Sequence, residues 1–227
     1  MKLYELVWGL YPRRVAIYLA EKGLAEIERI AFDATQGWPP AELKSVSPSG
    51  TVPILIPDDG PAIRQSVAIL EYLEEIHPSP SMLGRTAQDR ARTRELMSVI
   101  DEACIHFGTW CHKASPVFAM REPQSHDAAR VARDDFFHHL TILEALVSET
   151  SGPFLAGGEV TVADCMAMAT FQFADRFYGV PLPEDCPALG RWYKDFSQRA
   201  SATPPEYPKV LHDMAYGLPS IQLSKAA

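Results

Sequence analysis

Apolar positions in the first third of the chain alternate between short runs and helical spacing. Leu3, Leu6 and Val7 make residues 2–8 strand-like, and Gly9-Leu10-Tyr11-Pro12 turns the chain into a helix. The first-turn proline costs nothing there, because its N–H would be unpaired anyway. Val15, Ile17, Tyr18, Leu19 and Leu24 give this helix an apolar side, and Gly23 is placed to end it. A second strand is predicted over residues 26–31, and turn formers dominate residues 32–48, with room for one irregular helix near 40–46. Val52-Pro53-Ile54-Leu55-Ile56 reads as a strand headed by a proline, the end at which a missing donor is tolerated. Pro57-Asp58-Asp59-Gly60 is a turn in which Gly60 supplies positive φ, and Pro61-Ala62-Ile63 is the returning strand. Ser66 is placed to cap a helix carrying Val67, Ile69, Leu70, Leu73 and Ile76 on one side. The predicted order is β-α-β-α-β-β-α, whose opening βαβ unit requires a right-handed crossover.

The pattern changes at His77-Pro78-Ser79-Pro80-Ser81, a proline-rich joint. Residues 87–115 form a long helical pattern with Leu96, Val99, Ile100, Cys104, Phe107 and Cys111 near one stripe and Arg90, Arg92 and Arg94 on the exposed side. A second long helix is predicted over 127–150, with Phe136, Leu140, Leu143 and Leu146 inward, and no strand pattern follows. Thr161-Val162-Ala163-Asp164 is a capping box with Asp in place of Glu, opening a helix over 162–177. Further helices are predicted over 187–200 and 204–214. The boundaries that result are 1–77 for a mixed α/β domain, 78–86 for a linker and 87–227 for an all-helical domain.

Composition narrows the possible partners. The chain has 227 residues, 47% hydrophobic and 22% charged, enough to bury a substantial core. Its net charge of −8 arises from 21 Lys+Arg against 29 Asp+Glu, with no basic block, which argues against nucleic acid or an anionic membrane as partner. No apolar stretch has membrane-spanning length and the first residues do not read as a signal peptide, so a cytoplasmic protein is expected. Cys104, Cys111, Cys165 and Cys186 show neither C-x-x-C nor metal-ligand spacing. They read as reduced core residues, and no metal is expected.

The stretch Thr51-Val52-Pro53-Ile54-Leu55, followed after a hairpin by Gln65-Ser66-x-Ala68-Ile69-x-x-Tyr72-Leu73, resembles the glutathione-binding half of the glutathione S-transferases. The Thr161–Asp164 box, after Phe154-Leu155-Ala156-Gly157-Gly158, resembles their helical half. The resemblance implies a thioredoxin-like domain followed by an all-α domain, glutathione as cosubstrate, and a homodimer with a detoxifying transferase activity on a small hydrophobic electrophile. The physical reasons hold without the family. An X-Pro bond adopts cis at little cost, and a cis Val52-Pro53 leaves the Val52 backbone free to pair with a peptide added as a strand. Gln65, Ser66 and the helix N-terminus suit a carboxylate. The resemblance also brings Thr51, Trp38 and Lys44 to the site, the last two near the glycyl carboxylate, and Asp101 as a contact to a partner subunit's glutathione. Thr51 stands where family members often carry Gln or Lys.

A thiol with pKa near 8.5 must be activated at neutral pH. The position at which serine-type members carry their hydroxyl falls on Gly9. Three substitutes are available: the Tyr11 phenol, the N–H groups of Leu10 and Tyr11 at the helix N-terminus, and the charge of Arg13 or Arg14. Backbone with Tyr11 is the favoured combination. His106 and Trp110, at i and i+4 of the long helix, are expected to line a pocket for an aromatic substrate, whereas His112-Lys113 read as a solvated face. The alternative to a transferase is a glutathione-binding protein of the same fold with little activity, marked by Gly9. A thioredoxin-type disulfide reductase is disfavoured because no cysteine lies near Gly9.

Overall fold

The computed structural model describes residues 1–218; residues 219–227, assigned by sequence to the helical domain, lie outside the described residues. Four strands, β1 (Lys2–Glu5), β2 (Glu28–Ala31), β3 (Ile54–Ile56) and β4 (Ile63–Arg64), form one mixed sheet in the order β2-β1-β3-β4. β1 and β2 are parallel, joined through helix α1 (Leu10–Lys22), while β3 is antiparallel to both β1 and β4. Helices α2 (Ala41–Val46) and α3 (Ser66–Ile76) complete the predicted β-α-β-α-β-β-α order. Leu3, Leu55, Ile17, Ile69 and Leu73 are fully buried between the sheet and its helices.

The strands are shorter than their apolar runs. β3 begins at Ile54 and its partner starts at Ile63, because Pro53 and Pro61 have no N–H to give to a ladder. Gly60 has φ 106 in the connecting turn, and Gly23 ends α1 in the left-handed region with φ 74. The Val52–Pro53 peptide is cis.

The joint after α3 is held to the first domain. The buried Glu74 carboxylate accepts from the Tyr18 hydroxyl at 2.7 Å, Lys22 Nζ at 2.6 Å and the Met82 N–H at 2.9 Å. Five helices follow: α4 (Ala87–Ala114), α5 (His126–Ser148), α6 (Val162–Tyr178), α7 (Pro187–Phe196) and α8 (Lys209–Ala215). α6 runs through the middle of this half with all but three of its residues buried. The last two helices are shorter than expected. Residues 197–199 leave α7 through a turn, and α8 starts only after Pro208, since Pro204, Pro205 and Pro208 each push the preceding residue out of helical geometry. Of the three arginines predicted to be exposed on α4, Arg92 is instead drawn inward, bonding Glu95, Glu149 and the Leu146 carbonyl.

Arg13 joins the two halves. From α1 its guanidinium donates to Gln172 Oε1 at 3.1 Å on α6, and to the carbonyls of Ser201 at 2.9 Å and Thr203 at 2.6 Å.

Candidate active site

Two groups of residues converge on the seam between the halves. The first is at the start of α3. Gln65, the residue before the helix, has φ 73 and ψ 126, a conformation rarely adopted by a residue with a side chain and worth about 1–3 kcal/mol of strain. Ser66 is therefore the first helical residue and not the cap expected from sequence; its side chain accepts no helix N–H. It is 4% exposed, and its hydroxyl has no hydrogen-bond partner among the described residues. Ile54 pairs with Arg64 and Leu55 with Ile63, so continuing that register sets Val52 opposite Ser66. Val52 stands outside the ladder, and among the described residues its backbone N–H and C=O bond no other backbone group. Thr51 is exposed, its N–H donating to Ser47 Oγ at 3.2 Å. Lys44, on α2, is exposed and has no ion pair among the described residues.

The second group surrounds the start of α1. Gly9 caps this helix with φ −70 and ψ 139, so it is not held in a positive-φ conformation. Its N–H already donates to the Leu6 carbonyl at 2.8 Å. The N–H groups of Leu10 and Tyr11 are thus the unpaired donors of the first turn, Pro12 having none. The phenol of Tyr11 is held above its ordinary pKa by burial, then by the neighbouring Cys104 thiol, against the pull of Arg14. It stays protonated at neutral pH and keeps an O–H to donate. Of the two arginines offered by the sequence, Arg13 is committed to α6 and the 200–203 turn. Arg14 is fully buried, one nitrogen 2.5 Å from Asp101 and its guanidinium 4.9 Å from the centre of the Tyr11 ring, with its Nε and other Nη unpartnered among the described residues. Asp101 meets Arg14 through one carboxylate oxygen and is itself 40% exposed.

Gly9, Leu10 and Tyr11 open into a cleft of about 280 Å³. Its walls are Cys104, Phe107, Gly108, Cys111 and His112 of α4, Phe173, Phe177 and Tyr178 of α6, and Trp8 and Trp38 from the first domain. Trp8 stacks on Phe177 at 5.3 Å and Phe177 on Phe173 at 5.0 Å, giving a continuous aromatic wall. Burial raises the Cys104 thiol, against the pull of Arg14, and pushes Cys111 well above its ordinary value, so both stay protonated.

The expected pocket residues His106 and Trp110 do not line this cleft. His106 faces α5, stacked on His139 at 4.9 Å with Asp135 3.5 Å away, and Trp110 is buried against Phe136 and Phe137. The residues one position along α4, Phe107 and Cys111, take the place assigned to them. His112 is exposed, as expected of a solvated face, and it also borders the cleft, its Nδ1 2.6 Å from Glu122 and its ring stacked on Phe118 at 3.8 Å. A larger open groove of about 830 Å³ at the start of α4 contains none of these residues.

Residues 8–76 match the glutathione S-transferase N-terminal domain family, and residues 87–195 match the C-terminal domain family. The chain belongs to the glutathione S-transferase family. This transferase is 30% identical to glutathione S-transferase 2 of Saccharomyces cerevisiae over 210 residues, covering 88% of this chain and 87% of the relative. The crystal structure of Gtt2 from Saccharomyces cerevisiae superposes with a TM-score of 0.78 at 29% identity, covering 89% of this chain and 98% of that one. A maleylacetoacetate isomerase from Methylobacterium extorquens, solved with malonate and glutathione bound, gives a TM-score of 0.74 at 25% identity over 92% and 99% of the two chains. Membership makes this chain a glutathione-dependent enzyme of the transferase type.

Proposed function

We propose that the enzyme binds glutathione as a short strand beside Val52 and directs its thiolate at a hydrophobic electrophile in the aromatic cleft. In this reading the γ-glutamyl carboxylate is received by the Gln65 side chain, the Ser66 hydroxyl and the N-terminus of α3. Val52 pairs with the peptide backbone, Pro53 and Thr51 shape the approach, and Lys44 offers a charge to the glycyl carboxylate. The thiol then lies at the N-terminus of α1, where the Leu10 and Tyr11 N–H groups and the Tyr11 phenol favour the anion. The thiolate forms a C–S bond at the electrophilic carbon; in a substitution the leaving group takes the electron pair, and the thiol proton goes to solvent. Four buried unpaired cysteines suit a reducing, cytoplasmic setting, and a homodimer is the assembly proposed.

The observation that carries the reading is the strained Gln65 beside a partnerless Ser66 hydroxyl, together with a Val52 backbone left unpaired just before β3. Strain at that point is what a site preorganised for a carboxylate would hold. Calorimetric titration with glutathione tests it. Ser66→Ala is expected to weaken binding by about 1–3 kcal/mol through the lost charge-assisted bond. An unchanged affinity removes the carboxylate from this end of α3.

A further inference from the structure

Among the described residues, the cleft that receives the electrophile has one fixed charge. Among the described residues no Asp or Glu lines it; beside the aromatic wall, the charged groups there are Arg121 and, when protonated, His112. The ionic groups next to Arg121 are bound to one another: Glu122 accepts from His112 at 2.6 Å and from Lys113 at 2.7 Å. The Arg121 guanidinium has no hydrogen bond or ion pair among the described residues. Its backbone is nevertheless pinned. The Arg121 N–H donates to the Phe118 carbonyl at 2.8 Å and the Glu122 N–H to the same carbonyl at 3.1 Å, while Phe118 stacks on His112. An uncommitted guanidinium is therefore presented at an aromatic cleft by a turn clamped to the end of α4. The chain carries net charge −8, so this cation is a local exception in a field that repels anions.

We propose that Arg121 selects electrophiles that carry a carboxylate on a planar aromatic body, its guanidinium pairing with the carboxylate while the ring lies against Trp8, Phe177 and Phe118. A planar fork of donors matches a carboxylate in a way that a lysine would not. The inference rests on the cleft's being the electrophile site.

Two measurements keep the inference separate from the transferase reading. In the first, quenching of tryptophan fluorescence, with Trp8 and Trp38 in the cleft, reports binding of the unreactive pair meta-nitrobenzoate and meta-nitrobenzamide without glutathione. Wild type is expected to prefer the benzoate, and Arg121→Gln to abolish the preference by weakening benzoate binding roughly fivefold to tenfold, as for a single, partly exposed charged pair. In the second, conjugation of para-chloro-meta-nitrobenzoate is compared with that of its amide. The glutathione sulfur bonds to the ring carbon and chloride leaves with the electron pair. The variant should raise KM for the benzoate alone, with kcat, the amide reaction and the calorimetric glutathione affinity unchanged. Selective benzoate binding that Arg121→Gln abolishes, in a protein that conjugates neither compound, upholds Arg121 and counts against aromatic substitution as the reaction of this cleft. Equal binding of the two probes by wild type overturns the inference, as does a variant that weakens both equally or loses glutathione affinity.

Discussion

The Trp192 indole N–H donates to the Asp164 carboxylate over 2.8 Å, so the box that opens α6 also anchors α7. The same carboxylate accepts from the Leu155 N–H at 2.9 Å and from the Thr161 N–H and hydroxyl at 2.8 Å each. Burial raises its pKa, against the pull of these donors. Asp164→Ala therefore orphans several buried donors instead of removing one cap, and is expected to cost roughly 3–5 kcal/mol of unfolding free energy in urea. Glutathione affinity of the folded variant should be unchanged, because Asp164 is far along the chain from the cradle and makes no contact with it. A cost under about 1 kcal/mol would show that the box is an ordinary helix cap.

Tyr11→Phe separates the two ways of holding a thiolate. With its pKa raised, the phenol donates but never ionises in the working range, and the Leu10 and Tyr11 N–H groups survive the substitution. Activity at neutral pH is expected to fall by less than about tenfold, and the bound-thiol pKa to rise by less than about one unit. The pH profile of kcat/KM measures both. A rise to the free-thiol value, with turnover recovered only in alkali, would make Tyr11 the principal donor.

Gly9→Ser restores the hydroxyl of serine-type relatives. Its φ of −70 suits any residue; the obstacle is the Leu6 carbonyl oxygen, 3.1 Å from where a Cβ would stand. The variant is expected to fold with a loss of about 1 kcal/mol, the low end of overpacking costs, and to lower the bound-thiol pKa by ultraviolet thiolate titration. Gly9→Ala controls for the crowding. A serine variant that folds and binds glutathione but ionises the thiol no better than the alanine variant would show that the thiol does not reach this turn.

The cradle was readable because its signals are local. The proline at 53, the turn at Gly60 and the Gln65-Ser66 pair lie within one hairpin and one helix start, where neighbouring residues determine the backbone. The same holds for Thr161 and Asp164. The conformation of Gln65 was not readable, since only tertiary packing holds a side-chain-bearing residue at φ 73. The cleft wall failed for a different reason. α4 is apolar on two sides, one packed on α5 and one facing α1 and α6, and periodicity does not say which is which. A step of one residue turns a helix by about 100°, enough to exchange His106 and Trp110 for Phe107 and Cys111. Arg121 left no periodic trace because it lies in a turn placed by the bonds of Glu122.

Those bonds give a pH-dependent test of the turn. Glu122 is held below the ordinary carboxylate range, first by the Lys113 hydrogen bond and then by His112. A depressed folded-state pKa means that the clamp contributes fully above the unfolded carboxylate pKa and is lost as pH falls through the lower folded value. At neutral pH it is intact. Because the carboxylate is partly exposed, the contribution is expected to stay below about 1 kcal/mol and to shrink in high salt. Glu122→Gln should reproduce the acid state at neutral pH: faster amide exchange at Arg121 and Glu122, corrected for the intrinsic rate, with global stability nearly unchanged. It should also blunt the preference for the benzoate over the benzamide probe, because the guanidinium is then presented by a looser turn. If the exchange quickens while the preference remains whole, the turn is not what aims Arg121.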